Sequence, residues 1–400
     1  MPNLPSLKCC GCTSCVQTCP KNAISLFVND EGFLYPQVDN ALCVECKLCE
    51  KRCPVLLFEN KNSFSKKEAF AAICNDENLR MKSSSGGMFS LLAEKIIKEG
   101  GIVFGAEFDK DFSVKHSWTD CVEGLERFRT SKYLQSRIEN TFAECKDFLE
   151  SGKKVLFSGT PCQIAGLKIF LNKEYENLFT VDFICHGVPS PALWQKYIKY
   201  REKKSASRTV KTSFRQKNFG WKMYSLSFTF VNDSEYIKKL SGDKYLQLFL
   251  HDNALRESCY SCSARGDNNP ADITIADFWG IENVLPDFFD DKGTSFVIIQ
   301  NKKGKDFFDS VKNLCRFKEV DFNEAVKFNP QYYKSPVRSK KRNTFYKNFE
   351  KSSIDTLYRK YGRESFFVRT KHFIKRCIKF CLIKIIGKEK FYKLIHKEAR

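Results

Sequence analysis

Two copies of one cysteine spacing fill the start of the chain. Cys9, Cys12, Cys15 and Cys19-Pro20 form C-x2-C-x2-C-x3-C-P, and Cys43, Cys46, Cys49 and Cys53-Pro54 repeat it. This run holds 4Fe–4S clusters in bacterial ferredoxins. Three thiolates two residues apart wrap one cubane, while the fourth, followed by proline, leaves the turn and reaches the other. The spacing predicts one cluster on Cys9, Cys12, Cys15 and Cys53 and a second on Cys43, Cys46, Cys49 and Cys19. Cys10 falls outside the spacing and reads as a bystander. Structural zinc is the competing reading, but its ligands come as C-x2-C pairs with a longer gap between pairs.

Four more cysteines carry chemistry further along. Cys162 stands in GTPCQIAGLK, just past an apolar run and just inside a helix pattern. Cys185 ends the strand-like NLFTVDFIC, and Cys259 and Cys262 form a C-x2-C in a polar stretch. A helix amino terminus favours a thiolate and the negative charge of a cluster. Two single cysteines and one pair make four ligands, which points to a third 4Fe–4S cluster. Spacing alone leaves three other readings open: a zinc site, a redox dithiol at Cys259 and Cys262, and a nucleophilic Cys162 with His186 as its base. Cys74, Cys121, Cys145, Cys315, Cys377 and Cys381 lack ligand spacing and read as buried or bystander thiols.

Periodicity supplies the elements that must position these residues. Between the two N-terminal runs, AISLFVNDEGFLYPQVD predicts strand, turn and strand, with Asp30-Glu31-Gly32 at the turn. So small a module has little apolar core, and its clusters would serve as one. KNSFSKKEAF, residues 61–70, reads as a linker. Beyond it, strand-like and helix-like segments alternate. SSSGGMFSLLAEKIIKEG has apolar residues at helical spacing, serines before it as caps and Gly100-Gly101 as its stop. GGIVFGAEF, KKVLFSG, NLFTVDFIC, ADITIADFW and SFVIIQN read as strands. Thr160-Pro161 supplies an N-cap and first helical residue between two of them. That makes a βαβ unit and a sheet that is at least partly parallel. Cys162 and Cys185 then face the carboxyl edge of the sheet, where open α/β sheets bind ligands. Ser190-Pro191 repeats the start signal for a further helix.

The chain has 400 residues, enough for two to three domains, and a net charge of +20. Most of that charge lies in residues 331–400, with 21 Lys/Arg against 5 Asp/Glu. There Phe373, Cys377, Cys381 and Ile385 fall four apart, as do Ile374, Ile378, Leu382 and Ile386, while Lys371, Lys375 and Lys379 occupy another face. This predicts a basic amphipathic helix over residues 366–386. It would lie on the protein's own body or on the inner face of an anionic membrane. Nucleic-acid binding has no motif behind it. The opening MPNLPSLKCCGC has neither the basic nor the apolar region of a secretory signal. With 19 cysteines, that suggests metal or redox chemistry in a cytoplasmic, reducing setting. No apolar run is long enough to predict a transmembrane helix.

Taken together, the two cysteine runs, SSGGMFS, GGIVFGAEFD, SKYLQS, LFSGTPCQIAGLK, DFICHGVPSP, SFRQKNFGW, LRESCYSC, ADITIADFWG and DKGTSFVII resemble the beta-subunit family of coenzyme F420 hydrogenases and dehydrogenases. The form resembled is the bacterial one with an N-terminal ferredoxin module. The resemblance runs from the start of the chain to about residue 305. It implies an iron–sulfur flavoprotein oxidoreductase, with FAD beside a 4Fe–4S cluster whose ligands here are Cys162, Cys185, Cys259 and Cys262. It implies that FAD lies against Ser85, Gly86, Gly87, Ser131, Lys132, Tyr133 and Gln135, with Thr160 and Gln163 nearby. Gly86-Gly87 opening a helix allows close approach of backbone to phosphate, whereas an ordinary helix cap is the plainer reading of the same residues. Lys132 would place positive charge near the flavin, and His186 would orient a cofactor or donate a proton, so these two are the catalytic candidates. Arg215, Lys217 and Trp221 would contact an anionic substrate, while Asp272 and Asp277 read as strand-end hydrogen-bonding residues. The implied partners are a ferredoxin or other redox protein and an unidentified small-molecule substrate or coenzyme. Bacterial relatives of this form tend to be tied to surface-polysaccharide synthesis.

The fold class expected is therefore α/β. A ferredoxin-like α+β domain spans residues 1–60 and a linker residues 61–70. An α/β flavin and iron–sulfur domain with a partly parallel sheet spans 71–330, and a helical basic tail spans 331–400. A non-catalytic electron-transfer adaptor is the alternative to an enzyme.

Overall fold

A computed structural model describes residues 2–57, 67–363 and 370. In the N-terminal module β1 (Ile24–Val28) pairs antiparallel with β2 (Leu34–Val38), Ile24 opposite Val38. The Asn29 carboxamide oxygen closes the turn by accepting from the Glu31 and Phe33 backbone N–H groups. Two short helices, Ser14–Thr18 and Leu48–Lys51, follow the cysteine loops. The module's apolar core is small: Cys9, Phe33 and Tyr35 are buried together, with Val188 of the body packed against them.

The body is built on an eight-stranded sheet. Its strands are β3 (Glu68–Cys74), β4 (Ile102–Phe108), β5 (Val114–Thr119), β6 (Val155–Gly159), β7 (Leu178–Phe183), β11 (Ile273–Asp277), β12 (Ser295–Ile299) and β13 (Cys315–Val320). The order is β13-β3-β12-β11-β7-β6-β4-β5. The central four, β11, β7, β6 and β4, run parallel, and the flanking pairs are antiparallel. Period-two alternation sends Val103, Leu156, Val181 and Ile273 to one face, under the helix Met88–Lys98. Ile102, Phe104, Val155 and Phe157 go to the other, under the helices Thr141–Glu150 and Pro161–Leu171. The partly parallel sheet, the βαβ unit and the strand assignments agree with the reading of the sequence.

Other expectations need correction. The helix Met88–Lys98 is not capped by a serine: its N-cap is Gly87 at φ 91°, without a side-chain cap. Residues 68–70, placed in the linker, already belong to β3; residues 58–66 lie outside the described residues. Residues 342–361 are not a detached tail. The helices Arg342–Phe349 and Ile354–Tyr361 bury Phe345, Phe349, Ile354, Leu357 and Tyr361 in a cluster with Trp194, Tyr197 and Tyr245. That cluster also takes one face of a three-stranded antiparallel sheet of β8 (Thr209–Gln216), β9 (Ser225–Phe230) and β10 (Glu235–Lys239). The aromatic spacing of these two short helices was the missed signal; the charge count hid it. The basic helix expected over residues 366–386 falls, apart from residue 370, outside the described residues. No helix among the described residues is long and apolar enough to cross a membrane.

Candidate functional site

The cysteines of the two N-terminal runs line two small cavities, each about 20 Å³. The first is lined by Cys9, Cys12, Cys15 and Cys53, with Cys10 beside them. The second is lined by Cys19, Cys43, Cys46 and Cys49. Each run thus sends its last cysteine across to the other run's cavity. The backbone shows why the loops curl. Gly11 (φ 74°) and Thr13 (φ 60°) flank Cys12, and Glu45 (φ 53°) and Lys47 (φ 58°) flank Cys46 in the same way. Left-handed residues are costly for side chains other than glycine. Alternating them turns successive N–H groups inward and makes a nest for an anion, a device common at iron–sulfur sites. At Gly11 the choice is also steric, because a Cβ there would lie 2.6 Å from Gln135 Nε2.

A third group of thiols gathers at the carboxyl edge of the large sheet. β6 and β7 run parallel with Gly159 opposite Asp182. Cys162 stands three residues beyond the one and Cys185 three residues beyond the other, so register alone brings them to the same edge. Thr160 and Gln163 form a capping box that fixes the helix start at Cys162. Cys259 and Cys262 arrive on the turn Glu257–Ser261, which a Pro189–Leu255 bridge and the Arg256 N–H to Val188 carbonyl bond hold in place. Val188 N–H donates to Cys259 Sγ at 3.4 Å. All four thiols line one cavity of about 740 Å³.

Cys10, which falls outside the spacing, stands beside both groups of thiols. It lines both this cavity and the first small one, and its thiol lies against those of Cys12 and Cys162. The ferredoxin-like module is seated so that Gly166 of the helix Pro161–Leu171 faces Cys12; a Cβ at Gly166 would come within 2.7 Å of it. The seat is held by Arg256, which the sequence did not flag. It is fully buried. Its guanidinium donates to Cys9 O at 2.7 Å, Leu34 O at 2.9 Å and Gln135 Oε1 at 2.9 Å, and lies 4.1 Å from the centre of the Tyr35 ring. Arg342 pairs through both terminal nitrogens with the Glu31 carboxylate at the β1–β2 turn.

The electrostatics suit anionic clusters. Burial pushes the Cys259 thiol up to about 12 and raises Cys185 and Cys262; the Cys10 thiol, ahead of burial, raises Cys162. Burial also lifts Cys15 to about 12, with Cys9, Cys53 and Cys49 adding to it. Thiols crowded and desolvated in this way ionise only around a cation, which iron would supply. Arg256 and Arg265 add positive charge beside the third group. Among the described residues no three His, Cys, Asp or Glu side chains close on a point that would hold a single metal ion.

The large cavity has room and polarity beyond four thiols. Ser85, Gly87, Ser131, Lys132, Tyr133, Gln135, Thr160, Gln163 and His186 line it. Gly86 does not: it packs beneath, where a Cβ would fall 2.3 Å from Ala72 O, and its N–H donates to Ser295 Oγ. Three lining residues carry buried polar atoms without a partner among the described residues, namely His116 Nδ1, Arg265 Nε and Asn329 Nδ2. Such atoms ask for a ligand or water. Lys132 is committed elsewhere, its ammonium donating to the carbonyls of Arg127, Arg129 and Thr130. His186 Nε2 pairs with Asp252 Oδ1 at 2.6 Å. The substrate contacts expected of SFRQKNFGW are corrected. Arg215 donates to Ser84 O and Asp277 Oδ1, Trp221 Nε1 donates to Asp277 Oδ1, and Lys217 binds the carbonyls of Arg80, Ser85 and Lys292. These bonds hold the Ser84–Gly87 loop in place. Asp272 and Asp277 are hydrogen-bond acceptors at strand ends.

Residues 152–324 match the family model for the C terminus of the coenzyme F420 hydrogenase/dehydrogenase beta subunit, and residues 8–56 match the 4Fe-4S dicluster domain. The chain carries that beta-subunit domain behind a dicluster ferredoxin domain. In these two segments the chain is similar to iron–sulfur ferredoxins and to the coenzyme F420 hydrogenase/dehydrogenase beta subunit. An uncharacterized ferredoxin of Methanocaldococcus jannaschii is 40% identical over 47 residues, which are 12% of this chain and 60% of that ferredoxin's length. A chain of the F420-reducing [NiFe] hydrogenase complex from Methanosarcina barkeri aligns over 74% of this chain and 97% of its own, at 18% identity and a TM-score of 0.46.

Proposed function

We propose that the chain is an iron–sulfur flavoprotein oxidoreductase with three 4Fe–4S clusters and FAD. Two clusters sit on Cys9, Cys12, Cys15 and Cys53 and on Cys19, Cys43, Cys46 and Cys49. The third sits on Cys162, Cys185, Cys259 and Cys262. The observation that carries this reading is the continuity of the thiols: Cys10 lines the first small cavity and the large one together. The clusters would supply one-electron carriers and FAD would convert one-electron into two-electron chemistry.

The chain's own residues fit those groups. The helix Met88–Lys98 opens on the cavity without a side-chain cap, so its first N–H groups and the positive end of its dipole are available to a pyrophosphate. Ser131 N–H and Ser84 Oγ bond at 2.9 Å and hold the two loops side by side on that wall. Tyr133 and Trp279 add aromatic surface for a ring system, in a cavity of a size usual for cofactors. Gln135 joins wall to module, donating to Cys10 O while accepting from Arg256. The His186–Asp252 pair keeps that imidazole oriented at the rim. The exposed Leu26, Phe27, Val28 and Val44 around the module, with the exposed Cys46 nearby, give a redox protein an apolar place to dock. The acceptor is a small molecule or coenzyme; a place in surface-polysaccharide synthesis rests on the resemblance alone.

The test is reduction of the anaerobically purified protein, reconstituted with FAD, by dithionite or reduced ferredoxin. Bleaching of bound flavin, followed by reoxidation with a small-molecule acceptor, supports an enzyme. Flavin that never binds refutes the FAD assignment, and electrons passed only to a partner protein make the chain an adaptor.

A further inference from the structure

We propose that the outer edge of β1 is the joint of a two-fold dimer, where it pairs antiparallel with β1 of a second copy of this chain. The β1–β2 ladder shows which backbone groups are left over. Asp39 N–H donates to Ala23 O and Asn29 N–H to Phe33 O, so the bonded pairs run through Ala23, Ser25, Phe27 and Asn29. Ile24, Leu26 and Val28 therefore turn their N–H and C=O groups away from β2. None of these groups has a partner among the described residues, where the sheet ends at β1.

The two edges of this hairpin differ. β2 is guarded: Pro36 has no N–H to offer, and the Leu34 carbonyl accepts from Arg256 at 2.9 Å. The outer strands β10 and β13 carry charge, with Glu235, Lys238 and Lys239 on one and Arg316, Lys318 and Glu319 on the other. Ile24–Val28 has no charge, no proline and no break in register. Ser25, Leu26, Phe27 and Val28 are exposed along it. Such an edge is a template for a further strand.

The pattern of β1 is complementary to itself. An antiparallel pair centred on Leu26 sets that residue opposite its own copy and Ile24 opposite Val28, apolar against apolar. All the outward groups of both strands are then bonded. Moving the centre to Ser25 or Phe27 leaves an outward residue of each strand without a partner in the other. The same centre brings Lys21, ahead of one strand, beside Asp30, behind the other, and the symmetry does so twice. Both are exposed and opposite in charge. Leu26 also lines the first small cavity, so the joint would set the equivalent thiol groups of the two copies side by side and let electrons cross between them. That consequence rests on the reading of those thiols as cluster ligands; the pairing of strands does not. A redox protein would keep the side of Val44 and the exposed Cys46.

Sedimentation of the full-length protein, purified without oxygen, tests the joint. At about 50 μM the wild type should be a dimer. Leu26→Lys sets two ammonium groups face to face at the axis, and Leu26→Pro removes an N–H that β2 does not use. Each should weaken dimerisation about tenfold or more. Asp30→Lys should weaken it about threefold, and Lys21→Asp/Asp30→Lys should restore it. Both of these residues are exposed, so the exchange reads the joint without altering the strand. Amide exchange at Ile24, Leu26 and Val28 should be slow in the dimer and quicken on dilution. A wild type that stays monomeric, or a dimer that neither Leu26→Lys nor Asp30→Lys weakens, overturns the proposal. So does slow exchange at these amides in a monomer, which would mean that another segment of the chain covers the edge. A dimer that holds no iron refutes the cluster reading and leaves the joint standing.

Discussion

The N-terminal module takes its eight ligand-spaced cysteines from residues 9–53, on loops that repeat the same left-handed turns, and closes them around cavities of about 20 Å³. The body draws four cysteines from residues 162–262, on a helix start, a strand end and one turn, around a cavity of about 740 Å³. One region has almost no core without its metal; the other has several large apolar clusters that owe nothing to it. A cluster in the module would be structural as well as electrical, whereas the cluster proposed for the body would be a guest in a finished fold. The extra space in the body is where a second, organic carrier would fit.

The largest expected effect separates these two roles. Cys12→Ser should unfold residues 2–57, read as rapid limited proteolysis of the module. Cys259→Ser should cost about four iron atoms per chain and leave both proteolysis and circular dichroism unchanged. Equal protection in both variants would erase the contrast.

Next in size is the joint between the regions. Arg256→Met strands three buried acceptors, Cys9 O, Leu34 O and Gln135 Oε1. It should lower stability by about 3 kcal/mol in denaturant titrations and slow electron passage from module to cavity. An unchanged midpoint would mean the module is held by its other contacts.

A smaller, pH-dependent effect belongs to the body alone. His116 is buried, its Nε2–H faces Ser158 O at 3.1 Å, and burial lowers it to about 4. The unfolded chain binds a proton there at about pH 6.5, so the folded state loses stability as pH falls from that value toward 4. The loss at pH 5 should be on the order of 2 kcal/mol. His116→Gln should flatten that slope. Smallest of all, Cys10→Ala should keep the iron content but lower the midpoint potential of the cluster proposed on Cys12, because the Cys10 thiol donates toward Cys12 and a thiol donating to a cluster sulfur stabilises the reduced state.

How legible each region was follows the same contrast. The grouping of the module's cysteines around two cavities could be read from spacing because those residues are neighbours in sequence. The parallel core could be read too, since Thr160-Pro161 between two apolar runs admits few folds. What could not be read depends on contacts distant in sequence. Nothing in LRESC marks Arg256 as a buried clasp for Cys9 and Leu34. Gly86 and Gly87 look alike in sequence, yet one packs under a strand and the other opens a helix on the cavity. Cys10 breaks the spacing rule, yet the fold places it beside both groups of thiols. The basic composition of residues 331–400 concealed two helices whose aromatic faces belong to the core.

The measurement that tests the account most directly is iron and acid-labile sulfide per chain in wild type and in Cys162→Ser, both purified without oxygen. The account predicts about twelve of each in the wild type and about eight in the variant. About eight in both would leave the body without a cluster and contradict it.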